Sequence, residues 1–144
     1  RLSDQIDQRI LAMTGMAVTG FSHGILSTLD STTSMELIGV CMVLNGVGFS
    51  LFSSPNANSI MGAIGRENYG RAGSAIAVMR VFGQMSSMAL VTLVFTLVIG
   101  ARKIEPIIYA ELTEAIQTCF TIGACLCLFF VLVTSVRYKS ANVF

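Results

Sequence analysis

The sequence predicts an all-α membrane protein, and two observations lead to that prediction. Apolar residues make up 53% of the 144-residue chain and charged residues only 12%, with a mean hydropathy of +0.74. A soluble domain carries about 25% charged residues. The apolar residues also gather in four runs, and a helix of about 20 such residues crosses a bilayer core. None of these runs alternates as the strands of a membrane barrel do.

The four runs define the predicted organisation. We predict transmembrane helices at about residues 10–29, 37–62, 72–100 and 116–136. Between them run polar connectors at residues 30–36, 66–71 and 101–114. Hydrocarbon rejects the charged groups of these connectors, so each connector marks a membrane surface.

The charged residues divide unevenly between the two membrane surfaces. Four crossings place both ends of the chain and the second connector on one surface, with Arg1, Arg9, Arg66, Arg71, Arg137 and Lys139. The other surface holds Arg102 and Lys103 beside Asp30, Glu36, Glu105, Glu111 and Glu114. Because basic residues concentrate on the cytoplasmic side, we predict a multi-pass protein of the cell membrane with both ends of the chain cytoplasmic.

The second predicted helix carries a stripe of amide and aromatic side chains. Asn45, Phe49, Phe52, Asn56 and Ser59 fall within about 40° of one direction at 100° per residue. Each asparagine alone favours a hydrogen bond between helices, whereas the stripe as a whole favours the wall of a cavity. Pro55 removes a backbone hydrogen bond within it and could permit a kink.

The third predicted helix places Arg80, Gln84 and Ser87 on one face. Arg80 follows Arg71 by nine residues, which puts it roughly 13 Å into the membrane. An arginine there costs at least about 2.5 kcal/mol, so it must face protein or water. Two interpretations stay open: a charge satisfied between helices, or a cavity residue that contacts substrate or couples to ions. No acidic residue lies within the four predicted spans.

The remaining polar and sulfur side chains favour packing roles. His23 lies between Gly20 and Gly24, a spacing that permits close helix approach, although a proton relay is an alternative. The cysteines occur in apolar runs without metal-ligand spacing, at Cys41, Cys119, Cys125 and Cys127. The net charge of +1 is too small for a nucleic-acid surface. We therefore predict no enzyme activity, no cofactor or metal, and no nucleic-acid partner.

Several motifs together resemble one family. Residues 46–56 read GVGFSLFSSPN, residues 70–74 read GRAGS, and residues 80–83 read RVFG. In this order, across a short basic loop, they are similar to the antepenultimate and penultimate helices of the fourteen-helix drug:proton antiporters of the major facilitator superfamily. Residues 1–9 are similar to that family's cytoplasmic loop, with Gln5 in place of an arginine and Asp7 in place of a glycine.

The resemblance implies both an architecture and a function. Residues 1–144 would form the last four helices of a secondary transporter, with the other helices of the same protein, the lipid bilayer, a small molecule and protons as partners. Such a transporter works by alternating access and exports an amphipathic or cationic compound in exchange for protons. It implies a substrate cavity with contributions from Asn45, Phe49, Phe52, Asn56, Arg80 and Gln84. Asp4 and Arg9 would belong to the cytoplasmic gate loop.

Two other functions remain open. A self-contained, oligomeric four-helix exporter would carry a buried glutamate in its first helix, where this chain has none. In a non-transporting membrane subunit, Arg80 and the stripe of amide and aromatic side chains on the second predicted helix would pack against protein. No aqueous path would then lead to them.

Overall fold

The computed structural model describes residues 8–30, 32–100 and 109–141, with the side chains of 137–141 excepted. These residues form four helices in sequence: α1 (Gln8–Leu26), α2 (Met35–Gly62), α3 (Tyr69–Val98) and α4 (Tyr109–Ala141). A single 3-10 turn, Arg66–Asn68, leads into α3. The predicted all-α fold of four helices is confirmed.

Three of the four helical segments are long and apolar enough to cross a membrane: Met35–Gly62, Arg66–Val98 and Tyr109–Val136. The first helix is not among them. It has only 19 residues, and Gln8, Arg9, Ser22 and His23 lower its hydropathy. A crossing by α1, predicted at residues 10–29, therefore stays a prediction.

The helix ends differ from the predicted spans in one informative place. The last helix begins at Tyr109, seven residues before the predicted start, so Glu111 and Glu114 lie in its first turns and not in a connector. Hydropathy reports where a helix enters hydrocarbon, whereas the helix itself extends into the polar region. Acidic side chains also favour a helix N-terminus, where they face the positive end of its dipole.

The first helix lies between α2 and α4 and packs along both of them. Its closest contact with α2 joins backbone to backbone: a Cβ atom added to Gly15 would lie 2.6 Å from the carbonyl oxygen of Gly48 and 2.7 Å from the amide nitrogen of Phe52. Only glycine permits such an approach. About two turns further along, the buried Ser22 hydroxyl donates to the carbonyl of Cys41 at 2.7 Å.

The contact of α1 with α4 also depends on small residues. A Cβ on Gly123 would lie 2.6 Å from Cδ2 of His23, and one on Gly20 would lie 3.0 Å from the Cβ of Cys127. The predicted packing role of Gly20 thus has a partner, whereas a Cβ on Gly24 would meet no other described atom within 4 Å. The amide nitrogen of Gln117 donates to the carbonyl of Leu29 and ties α4 to the end of α1.

The third helix is held only near its two ends. Ala72 is buried close to its start, and near its other end Val94 and Ile99 form a small core with Ala115 of α4. Every residue from 77 to 93 is exposed within the described part of the chain. The central part of α3 therefore stands away from α1, α2 and α4.

Candidate substrate groove

A groove of about 1110 Å³ separates the central part of α3 from α2. It is open along one side and is lined mostly by apolar side chains. Five polar residues interrupt this lining: Ser53, Asn56, Arg80, Gln84 and Ser87. Its volume slightly exceeds the range of roughly 300–1,000 Å³ that is usual for pockets holding small molecules.

The structure brings five of the six predicted cavity residues to this one groove. Phe49, Phe52 and Asn56 line it from α2, and Arg80 and Gln84 line it from α3. Helical periodicity explains both sets, because residues three, four or seven apart in a helix share a face. Their role in binding a substrate stays a prediction.

Asn45 is the exception and does not line the groove. Its side-chain nitrogen lies 3.4 Å from Nδ1 of His23, which is also 2.9 Å from the carbonyl of Thr19. Asn45 therefore belongs to the surface of α2 that packs against α1. At 100° per residue, the α2 residues that line the groove centre about 50° away from Asn45. Phe52 and Asn56 nevertheless lie within about 20° of its direction, so its position along the helix, at the level where α1 packs, also separates Asn45 from the groove.

Ser59, the last member of the predicted stripe, also turns toward α1. Its hydroxyl donates to Oε1 of Gln8 at 2.5 Å. Pro55 between the two faces is fully buried, and α2 continues as one helix from Met35 to Gly62 through it. The α2 wall of the groove is thus backed by contacts of the same helix with α1.

Aromatic contacts hold one part of this wall in place. The Phe52 ring meets the Phe130 ring of α4 edge to face, with centroids 5.4 Å apart and an interplanar angle of 89°. This geometry is favourable for aromatic pairs and fixes the ring orientation. Phe52 therefore presents a positioned apolar surface to the groove.

Arg80 supplies the charge of the groove. It lies eleven residues after Tyr69, the first residue of α3, which is about 16 Å along the helix. It makes no hydrogen bond or ion pair with any residue that the structure describes. The described acidic residues lie in connectors or in the first two turns of a helix: Asp30, Glu36, Glu67, Glu111 and Glu114. The groove therefore holds a cation without a described counter-ion.

A second groove, of about 670 Å³, lies on the other side of α3, between α3 and α4. Gly83, Ser87 and Val91 line both grooves, and His23 lies at the edge of the second one beside Phe120. Sequence analysis missed this groove. The small residues Gly83 and Ser87 have the spacing typical of close helix packing, but a Cβ on Gly83 would meet no other described atom within 4 Å, so this part of α3 faces an open gap.

The predicted gate-loop residues lie apart from both grooves or outside the described chain. Arg9 belongs to the first turn of α1 and is exposed, so it is helical and not part of a loop. Asp4 lies outside the described residues. No group of three His, Cys, Asp or Glu side chains comes together as a metal site within the described ranges.

Three helices that are long and apolar enough to cross a bilayer, two of them bordering a groove with polar residues in its lining, indicate a multi-pass helical membrane protein. Over 52 residues, 36% of this chain, the sequence is 44% identical to "Uncharacterized transporter YebQ" of Escherichia coli (strain K12). The matched region spans about a tenth of that relative, at 11% of its length. No family profile and no solved structure matches the chain. The helices and this similarity together support a membrane transporter.

Proposed function

We propose that this chain is the C-terminal four-helix part of a secondary transporter of the major facilitator superfamily, in its drug:proton antiporter branch. In this proposal α2 and α3 form one side of a central cavity that opens alternately to the two membrane surfaces. The observation that carries the proposal is the groove itself, in which Arg80 and Gln84 of α3 face Phe49, Phe52 and Asn56 of α2.

The chemistry of the groove supports transport over a purely structural role. Small-molecule sites are mostly apolar with a few polar groups that fix orientation. A groove with two phenylalanines, two amides and an arginine fits that composition.

Proton coupling is the part of the proposal that rests on the family resemblance. The described helices carry no carboxylate in their central turns, and protonatable carboxylates would be supplied by other helices of the same transporter. The resemblance implies that the protein exports an amphipathic compound while protons enter the cell. The transport assay below tests this direction.

Accessibility of the groove to water provides the first test. Single cysteines at Asn56 and Gln84 are introduced into the protein produced from its full reading frame, after its native cysteines have been replaced by serine. We expect a membrane-impermeant maleimide to label both. Matched cysteines at Asn58 and Phe82, two residues away on the opposite faces of the same helices, should label poorly. Equal protection of the groove cysteines and their controls would contradict an aqueous cavity.

Transport by an arginine variant provides the second test. In everted membrane vesicles energised by a proton gradient, Arg80→Ala should abolish export or change its substrate range, while the protein still inserts into the membrane. Arg71→Ala, a substitution of an exposed arginine outside the groove, is the control and should transport normally. Unchanged export by the Arg80 variant would remove this residue from the mechanism.

A further inference from the structure

The charge of the groove suggests which class of compound it accepts. Its lining contains one charged side chain, Arg80, and no carboxylate among the described residues. The other polar groups that line it are neutral: the amides of Asn56 and Gln84 and the hydroxyls of Ser53 and Ser87. The described groove therefore carries a net positive charge.

A positive charge at this depth is stabilised by water or by a negative partner. Removing an ion from water is costly, and an opposite charge with good hydrogen bonding is what offsets that cost in a low-dielectric site. Arg80 has no such partner among the described residues, and no described acidic side chain lies in the central turns of a helix. A cationic ligand would add a second positive charge to the same groove, whereas an anionic ligand would neutralise the first.

The neighbours of Arg80 suit the head group of an organic anion. A guanidinium group offers five donors in a planar fork that matches a carboxylate or phosphate in two parallel hydrogen bonds. Gln84 lies one turn further along the same face of α3, and its amide can donate a further hydrogen bond. Donors of this kind stabilise an anionic head without adding negative charge.

The rest of the groove suits an apolar body. Phe49 and Phe52 line it from α2, Met79 and Met88 line it from α3, and Phe52 is held against Phe130. Flat aromatic rings and flexible thioethers pack against apolar groups of varied shape. The groove thus combines one anion-binding end with an apolar wall.

We propose that the groove binds an amphipathic organic anion, with an acidic head group at Arg80 and Gln84 and an apolar body against Phe49 and Phe52. This proposal rests on the proposed transport function and narrows its substrate to acidic compounds. A glutamate or aspartate from another helix of the same protein is the competing occupant of Arg80, and the experiment below separates the two.

Three compounds of matched shape and different charge test the proposal: 2-naphthoate, 2-naphthamide and 2-naphthylmethylammonium. Their binding to the purified protein, produced from its full reading frame, is measured by the change in naphthalene fluorescence. We expect 2-naphthoate to bind at least about tenfold more tightly than the amide, since a hydrogen bond to a charged group contributes about 1.5–3 kcal/mol. The ammonium compound should bind most weakly.

Variants of Arg80 assign the preference to this residue. Arg80→Gln should bring the affinity for 2-naphthoate down to that for 2-naphthamide, whereas Arg71→Gln should leave the difference intact. Arg80→Lys keeps the charge but loses the fork, so it should retain a reduced preference for the anion. The lysine variant keeps the test decisive if the glutamine variant does not fold.

The outcomes distinguish this proposal from the transport function. Equal or tighter binding of the ammonium compound would overturn the proposal and indicate that a protein carboxylate occupies Arg80. An anion preference that survives Arg80→Gln would also overturn it, because the anion would then bind to another cationic group. Protection of a cysteine at Asn56 from maleimide by 2-naphthoate, and not by the ammonium compound, would support it. Failure of the groove cysteines to label in the absence of any compound would instead contradict the proposed transport function.

Discussion

Replacing Gly15 with alanine should separate α1 from α2 and destabilise the helix unit. The new Cβ would lie 2.6 Å from the carbonyl oxygen of Gly48 and 2.7 Å from the amide nitrogen of Phe52, whereas ordinary contacts begin at 3.4 Å. Both obstructing atoms are backbone, so no side chain can rotate away, and the helices must move apart by roughly 0.8 Å at this point. Overpacking of this kind costs about 1–3 kcal/mol.

Gly24→Ala is the matched control for this prediction. It lies in the same helix, and its Cβ would meet no other described atom within 4 Å. The intrinsic gain of alanine over glycine in a helix, about 1 kcal/mol, is common to both variants and cancels in the comparison. The difference between them should therefore be the overpacking cost, about 1–3 kcal/mol, or roughly 5- to 150-fold in the unfolding equilibrium.

Unfolding by sodium dodecyl sulfate in mixed micelles, followed by circular dichroism, measures this difference. Gly48→Ala should behave like Gly15→Ala, and the double variant should cost less than the sum of the two, because helices already separated by one Cβ accommodate the second. Equal stability of the Gly15 and Gly24 variants would refute the backbone contact between α1 and α2.

Three further substitutions test other contacts in the same unfolding or export assays. Ser22→Ala removes the donor to the carbonyl of Cys41 and should lower the free energy of unfolding by about 0.6 kcal/mol and at most about 1.7 kcal/mol; no change would show that the bond is not stabilising. Gly123→Ala places a Cβ 2.6 Å from the His23 ring and should destabilise the α1–α4 contact by about 1–3 kcal/mol, which wild-type stability would contradict. Asn45→Leu should leave export in everted vesicles unchanged, because Asn45 faces α1 and not the groove; loss of export would return it to the substrate path.

Hydropathy and periodicity predicted most of this structure, for physical reasons. The four helices follow from apolar runs, since a backbone in hydrocarbon must satisfy its own hydrogen bonds. The groove faces of α2 and α3 follow from the 3.6-residue period, which already grouped Arg80 with Gln84 and Phe49 with Asn56. The position of a helix and the residues that share one of its faces are both properties of a single helix, so they can be predicted from the residues of that helix alone.

Other features depend on where a second helix lies, and the sequence of one helix does not contain that information. Asn45 shares its direction with Phe52 to within roughly 20° at 100° per residue, yet it meets α1 because α1 crosses α2 at that level. The second groove escaped prediction for the same reason, since Gly83 and Ser87 are compatible with both close packing and an open gap. The start of α4 was missed because Glu111 and Glu114 reduce hydropathy without ending a helix.

The unequal attachment of the helices bears on how such a protein can change during evolution. On α2, the groove face backs onto the contact through Gly15 and Gly48, so a bulky substitution near that contact would cost stability as well as alter selectivity. On α3, residues 77–93 have no such dependence within the described part of the chain. In the proposed transporter, substitutions there would alter which compounds are accepted without disturbing the contact between α1 and α2. We therefore expect the α3 side of the groove to be where related sequences diverge most freely, and where laboratory selection for new substrates finds its first mutations.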